Sequence, residues 1–251
     1  MCRRYLTEYA ERYPADPRAA ARTWFHEARF GLFVHYALPS LLPEGSNDFK
    51  KALRSRPDLG TVCLYTPEEI RQLDLPEDEK RFCLQLKQEL AGRFTAERFD
   101  ADAICDLAVA AGMKYVTLTT SHAGGLFLYR TSLTEFNTFD GVAKRDLLAE
   151  LSAVCEARGL GCFHYVPPYT ARTDGTFRER NAGILRELLT RYGPVAGVWF
   201  DGIAGFVKHP ENYTDLSSQY ALVRSLQPQV LVSFKEGATG EEDFVSPEHY
   251  L

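Results

Sequence analysis

Two carboxylates late in the chain stand at the ends of segments that the sequence predicts to be buried strands. Asp201 ends one such segment and is followed by glycine, and Glu248 ends another. In α/β folds, ligands and catalytic groups lie beyond the carboxyl ends of parallel strands. A facing pair of carboxylates can cleave a glycosidic bond, because one attacks or activates water while the other protonates the leaving oxygen. The alternative for Asp201 is a turn residue, since Asp-Gly is a common turn dipeptide.

Other predicted strand ends carry groups that suit a sugar. Histidine side chains can hydrogen-bond to hydroxyl groups, and aromatic rings suit the apolar C–H face of a sugar. The candidate substrate-binding residues are His35, Tyr36, His122, Tyr165 and Trp199, and Lys235 also stands at a predicted strand end. For each histidine the alternative is a structural residue at a strand end, and for Trp199 it is a place in the core.

Composition and spacing exclude several other classes of function. The chain of 251 residues has a net charge of −5 and no long basic segment, so nucleic acid is not a predicted partner. No apolar stretch reaches the roughly 18–20 residues of a membrane span, and the first residues lack the apolar core of a signal peptide, which favours the cytoplasm. Six cysteines without a Cys-x-x-Cys pair and six histidines without a His-x-x-x-His pair predict reduced thiols, no metal site and no cofactor.

The elements that must position these groups alternate between helices and strands. Predicted helices span 15–29, 67–75, 78–92, 102–112, 145–158, 177–192 and 213–226; predicted strands span 30–36, 114–120, 161–166, the segment before Asp201, 230–234 and 244–248. This alternation predicts an α/β fold with a parallel sheet of right-handed βαβ units. We expect a TIM-like (β/α) barrel rather than a doubly wound open sheet, because no Gly-x-Gly-x-x-Gly turn follows the first strand.

The predicted barrel is incomplete. About six strands are predicted, whereas a closed barrel of this type has eight. Residues 1–251 are predicted to form a single catalytic domain with an insertion at its rim over 37–92, which begins with a segment too long for an ordinary connection. Because open sheet edges invite pairing, we expect the edge to be covered by another subunit of a homo-oligomer or by residues 37–92. A fragment of low or absent activity is the alternative.

Several segments, in order along the chain, resemble the α-L-fucosidase family of retaining glycoside hydrolases. Residues 24–36 are similar to a family signature in which a helix with tryptophan and a basic residue precedes Phe-Gly-Leu-Phe-Ile-His-Trp-Gly. Further similar segments are 94–100, 111–115, 145–147, 187–193 and 198–202. The last of these, Val-Trp-Phe-Asp-Gly, resembles the motif that carries the nucleophile of the family. Residues 242–248 are similar to the family's Gly-Asp-Phe-x-Thr-Pro-Glu segment, whose glutamate is the acid/base in several members.

The resemblance implies a glycosidase that cleaves an α-linked fucose or related sugar by double displacement without a metal. Asp201 would be the nucleophile and Glu248 the acid/base, while His35, His122, Tyr165 and Lys235 would hold the sugar. A retaining pair predicts that the two carboxyl groups lie about 5–5.5 Å apart in one cavity.

The sequence also departs from the family at positions that contact the sugar. Ala123 and Gly124 stand where the family has a second histidine and an aspartate, Tyr36 stands for a tryptophan and Lys235 for an arginine. The Glu-Trp pair of the following loop has no clear counterpart. These departures predict weak activity on simple fucosides. They also leave two alternatives: a catalytically impaired relative that binds glycans or acts in assembly, and a glycosidase of different sugar specificity.

Overall fold

A five-stranded sheet organises the computed structural model, which describes residues 3–43, 65–166, 175–201, 216–235 and 237–247. The strands are β1 (Leu32–Val34), β2 (Tyr115–Thr119), β3 (Gly161–Val166), β4 (Val195–Phe200) and β5 (Leu231–Phe234). They lie side by side in chain order.

Each predicted helix is present in the structure. The helices are α1 (Pro17–Ala28), α2 (Pro67–Gln72), α3 (Glu77–Arg93), α4 (Ala101–Ala110), α5 (Leu147–Arg158), α6 (Gly175–Arg191) and α7 (Leu216–Leu226), with short 3-10 helices at Arg4–Tyr9 and Leu38–Leu41. Across the described ranges, no helix combines the length and the hydrophobicity that a membrane span requires.

Local signals explain where helices begin. The Asp16 carboxylate accepts the backbone N–H of Ala19 at 2.9 Å and so caps α1, whose first residue is a proline. At α2, the Thr66 hydroxyl accepts the N–H of Glu69 at 3.4 Å, and the Glu69 carboxylate accepts the N–H of Thr66 at 2.8 Å. These contacts satisfy N–H groups that have no partner within the helix.

The strand pairing confirms the predicted α/β fold. The pairs β1–β2, β3–β4 and β4–β5 are parallel. At the start of β2 and β3, the Gly161 N–H donates to the Lys114 carbonyl at 2.9 Å, so these two strands also begin side by side. The described residues hold five strands of a TIM-like barrel, which is not closed. The predicted sixth strand is reduced, over its described residues, to a single bridge between Phe244 and Ser233.

The outer edge of β5 is covered by the chain itself. The N–H of Asp243 donates to the Val232 carbonyl and the N–H of Ser246 donates to the Lys235 carbonyl, each at 2.8 Å. The Asp243 carboxylate in turn accepts the N–H of Val232 at 2.9 Å. Residues 243–246 thus occupy hydrogen-bonding positions along this edge, where another subunit or residues 37–92 were expected to lie.

A buried aromatic cluster beneath the sheet joins the amino-terminal segment to the strands. Trp24 of α1 packs against Tyr5 and Phe163, with ring centroids 4.7 and 6.4 Å apart. Gly161 lets the Trp24 ring approach β3, since a Cβ atom at that position would lie 2.5 Å from the ring. The helix Arg4–Tyr9, which the sequence analysis did not predict, supplies Tyr5 and the fully buried Leu6 to this core.

The residues group into two compact units. The first comprises Met1–Val34, Asp100–Leu118 and Leu148–Leu251, and the second comprises His35–Phe99 and Thr119–Leu147. The first contains the sheet apart from the last residue of β2. The single catalytic domain with a rim insertion over 37–92 stays a prediction.

Candidate active site

Asp201 lies directly after β4, where the sequence analysis placed it. Its backbone N–H donates to the carbonyl of Val166, the last residue of β3, at 3.2 Å. Its side chain is 19% exposed, so the carboxylate is sheltered but remains reachable from solvent. The end of β4 therefore presents one acid at the carboxyl end of the sheet, as catalytic groups of barrel enzymes are presented.

The Asp201 carboxylate is held on both of its oxygens by the neighbouring strands. The Tyr165 hydroxyl donates to Oδ2 at 2.5 Å from β3, and the Lys235 ammonium contacts Oδ1 at 2.5 Å from the residue after β5. Charge-assisted hydrogen bonds of this kind fix an orientation as well as stabilise it. A residue that only opens a turn does not need such contacts. Tyr165 and Lys235, two of the predicted sugar-binding residues, are thus brought together with the predicted nucleophile.

Lys235 is positioned by an unusual backbone conformation. Its φ angle is +29°, a region that non-glycine residues rarely occupy, and the residue is 8% exposed. Its carbonyl accepts the N–H of Ser246, which fixes the backbone from the other side. Backbone strain held in place by surrounding contacts is typical of functional sites. The strained end of β5 therefore directs a buried ammonium at Asp201.

Aromatic rings flank this carboxylate. Trp199 is half-buried, lies 5.4 Å from the Tyr165 ring and meets Phe33 of β1 edge-on at 4.7 Å between ring centroids. The Trp199 Nε1 donates to the hydroxyl of Ser246. Sequence reasoning missed Phe33 and Ser246. Phe33 lies in a continuous apolar segment of the sequence, so no alternation marked it, although the structure leaves it more exposed than its neighbours Leu32 and Val34.

His35 and His122 contact each other in the second unit. Their ring centroids lie 5.1 Å apart in an edge-to-face arrangement. His122 begins a turn in which the Gly125 N–H donates to the His122 carbonyl at 2.9 Å. Gly124 adopts a φ of +103° in this turn, and the buried Lys87 ammonium donates to its carbonyl at 2.6 Å. The predicted sugar-binding residues His35 and His122 are thus neighbours. Lys87, which sequence reasoning missed, fixes the turn that begins at His122.

Tyr36 is packed among aromatic rings. Its ring lies 5.0 Å from that of Phe94 and is stacked at 5.7 Å on that of Phe99. The Thr119 hydroxyl accepts the Tyr36 N–H at 3.1 Å and donates to its carbonyl at 3.0 Å. Burial raises the pKa of the Tyr36 phenol. The structure thus shows a half-buried packing role for Tyr36, and its predicted contact with a sugar stays a prediction.

Some predictions concern groups that the structure describes only in part. Glu248, the predicted acid/base, lies outside the described residues, so its separation from Asp201 stays a prediction.

Within the described ranges, no group of three or more histidine, cysteine or acidic side chains is arranged to hold a metal ion. The cysteines described there, Cys83, Cys105, Cys155 and Cys162, are free and buried.

Comparison with known proteins assigns the family. A family model described as Alpha-L-fucosidase matches residues 6–251. The chain belongs to the alpha-L-fucosidase family. Among curated alpha-L-fucosidases, the plasma enzyme of Rattus norvegicus is 28% identical over 208 residues, which cover 76% of this chain and 42% of that protein. The tissue enzyme of Bos taurus is 29% identical over 208 residues, covering 77% and 42%. The chain thus spans less than half the length of these alpha-L-fucosidases.

Solved fucosidase structures share the fold of this alpha-L-fucosidase family member. A bacterial fucosidase with an iminocyclitol inhibitor superposes with a TM-score of 0.63 at 23% identity, covering 91% of this chain and 51% of that chain. The unliganded alpha-L-fucosidase from Lactobacillus casei gives a TM-score of 0.61 at 21% identity, covering 90% and 72%. These similarities establish the α/β barrel architecture of the family for this chain.

Proposed function

We propose that this protein is a retaining glycoside hydrolase that cleaves an α-linked fucose or a related sugar. Family membership supports the reaction class, and one observation carries the assignment of the nucleophile. That observation is the sheltered Asp201 carboxylate at the end of β4, held by the Tyr165 hydroxyl and the Lys235 ammonium at 2.5 Å each. A carboxylate held in one orientation is prepared to attack without first reorganising.

In the first step, one Asp201 oxygen attacks the anomeric carbon and the bond to the leaving oxygen breaks. Each carboxylate oxygen has more than one lone pair, so the contacts with Tyr165 and Lys235 leave capacity for attack. Glu248 gives its proton to the departing oxygen in this proposal. The product of the step is a covalent ester between the sugar and Asp201.

The ester changes the electrostatics around Lys235. Asp201 loses its negative charge when the ester forms, so the ion pair with the Lys235 ammonium is weakened. In the second step Glu248 takes a proton from water, water attacks the anomeric carbon, and Asp201 leaves as a carboxylate. The ion pair then re-forms and stabilises the departing carboxylate. We therefore assign Lys235 to the breakdown of the intermediate as well as to the orientation of Asp201.

The residues that depart from the family motivate a second candidate function. Ala123 and Gly124 cannot supply the polar side chains that the family has at these positions, and a site that leaves substrate hydroxyls unpaired discriminates poorly. A catalytically impaired relative that binds glycans, or a glycosidase for another sugar, remains the alternative. The roles of His35, Tyr36, His122 and Trp199 in holding the sugar stay predictions.

The nucleophile is tested by replacing Asp201. We expect Asp201→Asn to lower the release of nitrophenol from 4-nitrophenyl α-L-fucoside by at least about 10³-fold, because a neutral amide cannot form the ester. Asp106→Asn is the matched control, since this aspartate is paired with Arg158 on an exposed surface. Asp201→Ala in the presence of azide should yield a fucosyl azide of inverted configuration, because azide can replace the missing carboxylate.

The outcomes separate the candidates. Unchanged turnover in Asp201→Asn would assign the chemistry to another acid. Wild-type protein that binds fucose by calorimetry but hydrolyses no aryl glycoside would favour the glycan-binding alternative. Hydrolysis of other aryl glycosides in preference to the fucoside would favour a different sugar specificity.

The proposed substrate class is a carbohydrate. We also propose a homo-oligomer in which another subunit contacts the edge strand β1. That strand ends the sheet on the side opposite β5. Light scattering coupled to size exclusion tests the oligomeric state, and a monomer would remove this proposal. The cytoplasmic location stays a prediction.

A further inference from the structure

A cavity lies at the other end of the sheet from Asp201. Its volume is about 420 Å³, and its lining includes Leu231, the first residue of β5. The contact between Asp201 and Lys235 is made just beyond the last residue of the same strand. At about 3.3 Å per residue, the two places are roughly 13 Å apart along β5. The cavity is therefore separate from the candidate active site.

Three basic side chains border this cavity. Arg22 and His26 lie one turn apart on α1, Arg29 follows the end of the helix, and all three are exposed. Arg22 makes only a long contact of 3.9 Å with Asp243, and the described part of the chain offers no partner to His26 or Arg29. In a protein of net charge −5, the positive charges of Arg22 and Arg29 side by side favour an anionic ligand.

The one acid in the cavity lining does not neutralise these cations. One oxygen of the Asp243 carboxylate accepts the Arg18 Nε–H at 2.7 Å, and the other accepts the Val232 N–H at 2.9 Å. The Arg224 guanidinium also lies 3.8 Å from the Asp243 carboxylate. The charge of Asp243 is thus already committed to other partners, so Arg22 and Arg29 contribute surplus positive charge to the cavity.

The backbone at Arg29 is strained. Its φ and ψ angles are +66° and −61°, and the Phe30 N–H donates to the Ala28 carbonyl at 2.8 Å. These values describe a γ-turn of the rare form with positive φ. Strained backbone persists where the surrounding structure enforces it, which is characteristic of ligand sites. Because the backbone turns at this position, α1 ends at Ala28 and Arg29 lines the cavity.

The floor of the cavity is aromatic. Phe25 and Phe244 pack with ring centroids 4.3 Å apart, and both line the cavity. Aromatic rings bind the apolar face of a sugar, while arginines bind the oxygens of sulfate and phosphate. Basic residues at a helix end also stabilise the helix dipole, but that role does not require an aromatic cavity beside them. From the charges, the turn and the rings together, we infer that this cavity binds an oxyanion, either as a free ion or as a sulfate or phosphate ester on a sugar.

The test is a titration of the isotope-labelled protein with sodium sulfate at constant ionic strength, followed by amide NMR shifts. Saturable shifts in 22–30 and 241–244 are expected with sulfate, and none with chloride alone. The double variant Arg22→Gln/Arg29→Gln should weaken sulfate binding on the order of tenfold, because two charged contacts are lost at exposed positions, where each contributes modestly. Arg71→Gln/Arg81→Gln removes the same charge from exposed positions elsewhere and should leave the affinity unchanged.

A parallel titration with glucose 6-sulfate and glucose distinguishes the source of the anion. Tighter binding of the sugar ester than of inorganic sulfate assigns the cavity to a sulfated saccharide, and equal or weaker binding assigns it to the free ion. Absence of saturable shifts with sulfate, or an equal loss of affinity in Arg71→Gln/Arg81→Gln, would overturn the inference. All these readouts are independent of hydrolysis, so they do not depend on the proposed function.

Discussion

At the scale of single residues, the ion pair between Lys235 and Asp201 is the feature with the clearest chemical consequence. The two side chains are 10% and 19% exposed, so solvent screens their interaction less than it screens a surface pair. In the proposed mechanism Lys235 orients the nucleophile, and its charge stabilises the Asp201 carboxylate as it re-forms during breakdown of the ester. Lys235 is therefore expected to affect turnover more than substrate binding.

Replacing Lys235 by methionine keeps the length of the side chain and removes the ammonium. We expect kcat for an aryl fucoside to fall by roughly 10²–10³-fold, the range seen when one preorganised electrostatic group is removed. KM should change much less. Lys235→Arg, which restores the charge and matches the residue of the family at this position, should recover part of the loss. Steady-state kinetics provide the measurement, with Lys114→Met at an exposed position as a control. Equal kcat values for wild type and Lys235→Met would contradict the assigned role.

At the scale of elements, residues 238–246 form the loop that follows β5. Two carboxylates hold this loop in place. Glu242 accepts the N–H groups of Ala238 and Gly240 at 2.9 Å and the hydroxyl of Tyr220 at 2.9 Å. Asp243 follows and joins this loop to α1 through Arg18. One acid thus shapes the loop, and the other fastens it over β5.

Asp243→Asn is expected to lower the free energy of unfolding by about 1–3 kcal/mol, because it leaves Arg18 and Arg224 without a buried charge to pair with. The loss should be smaller than for a wholly buried pair, since the Arg18 side chain is 35% exposed. Urea denaturation measures it. Asp106→Asn, which breaks a surface pair whose carboxylate is 64% exposed, should cost less than about 1 kcal/mol. Similar losses in both variants would show that the cover over β5 contributes little.

Glu242 makes the same loop sensitive to acid. Burial acts to raise the pKa of its carboxyl, but hydrogen bonds from the backbone N–H groups of Ala238 and Thr239 outweigh burial and hold the pKa below its ordinary value. Because the folded-state pKa is lower than the unfolded one, Glu242 stabilises the fold above its ordinary pKa of 4.5 and loses this contribution as the pH falls through the lowered value.

Glu242→Gln should therefore flatten the loss of stability below pH 4.5 and lower the stability at neutral pH. Thermal melts across the acid range measure this dependence. Glu11→Gln, at an exposed position, serves as the control and should follow the wild-type curve. If the wild-type and Glu242→Gln proteins lose stability in parallel as the pH falls, the carboxyl does not carry this sensitivity.

At the scale of the whole molecule, sequence patterns located the elements well because the signals are local. Helical periodicity and caps such as Asp16 and Thr66 depend on residues three or four positions away. The cover over β5 could not be predicted, since it depends on the contact of Asp243 with Arg18, 225 positions away in the chain. The helix Arg4–Tyr9 was missed for the same reason, because only packing against Trp24 reveals its buried face.

The candidate site was predicted in part. Strand ends identified Asp201, Tyr165 and Lys235, and the structure brings these three together. Pattern alone could not show that Tyr165 and Lys235 contact the carboxylate itself, because both had been assigned only to the sugar. Ser246 lies in the segment that resembles a family motif, but the sequence did not indicate its contact with Trp199, 47 positions away.

The buried thiols offer a measure of how the whole molecule opens. Cys83 belongs to the second unit, and Cys105, Cys155 and Cys162 belong to the first. All four are no more than 3% exposed, so we expect them to resist iodoacetamide in the native protein and to react as it unfolds. Peptide mass spectrometry over time measures each rate. Equal rates at all four positions would indicate that the units open together, and earlier labelling of Cys83 would indicate separate opening. Rapid labelling of all four before unfolding would contradict their burial.

The cover over β5 also determines how the chain would respond to mechanical force. Tension applied just after residue 247 reaches residues 243–246 before it reaches any of the five described strands. The first resistance would come from the ion pair between Arg18 and Asp243 and from the hydrogen bonds to Val232 and Lys235. Since Lys235 also contacts Asp201, a pull that detaches this segment would disturb the proposed nucleophile while the rest of the sheet is still intact.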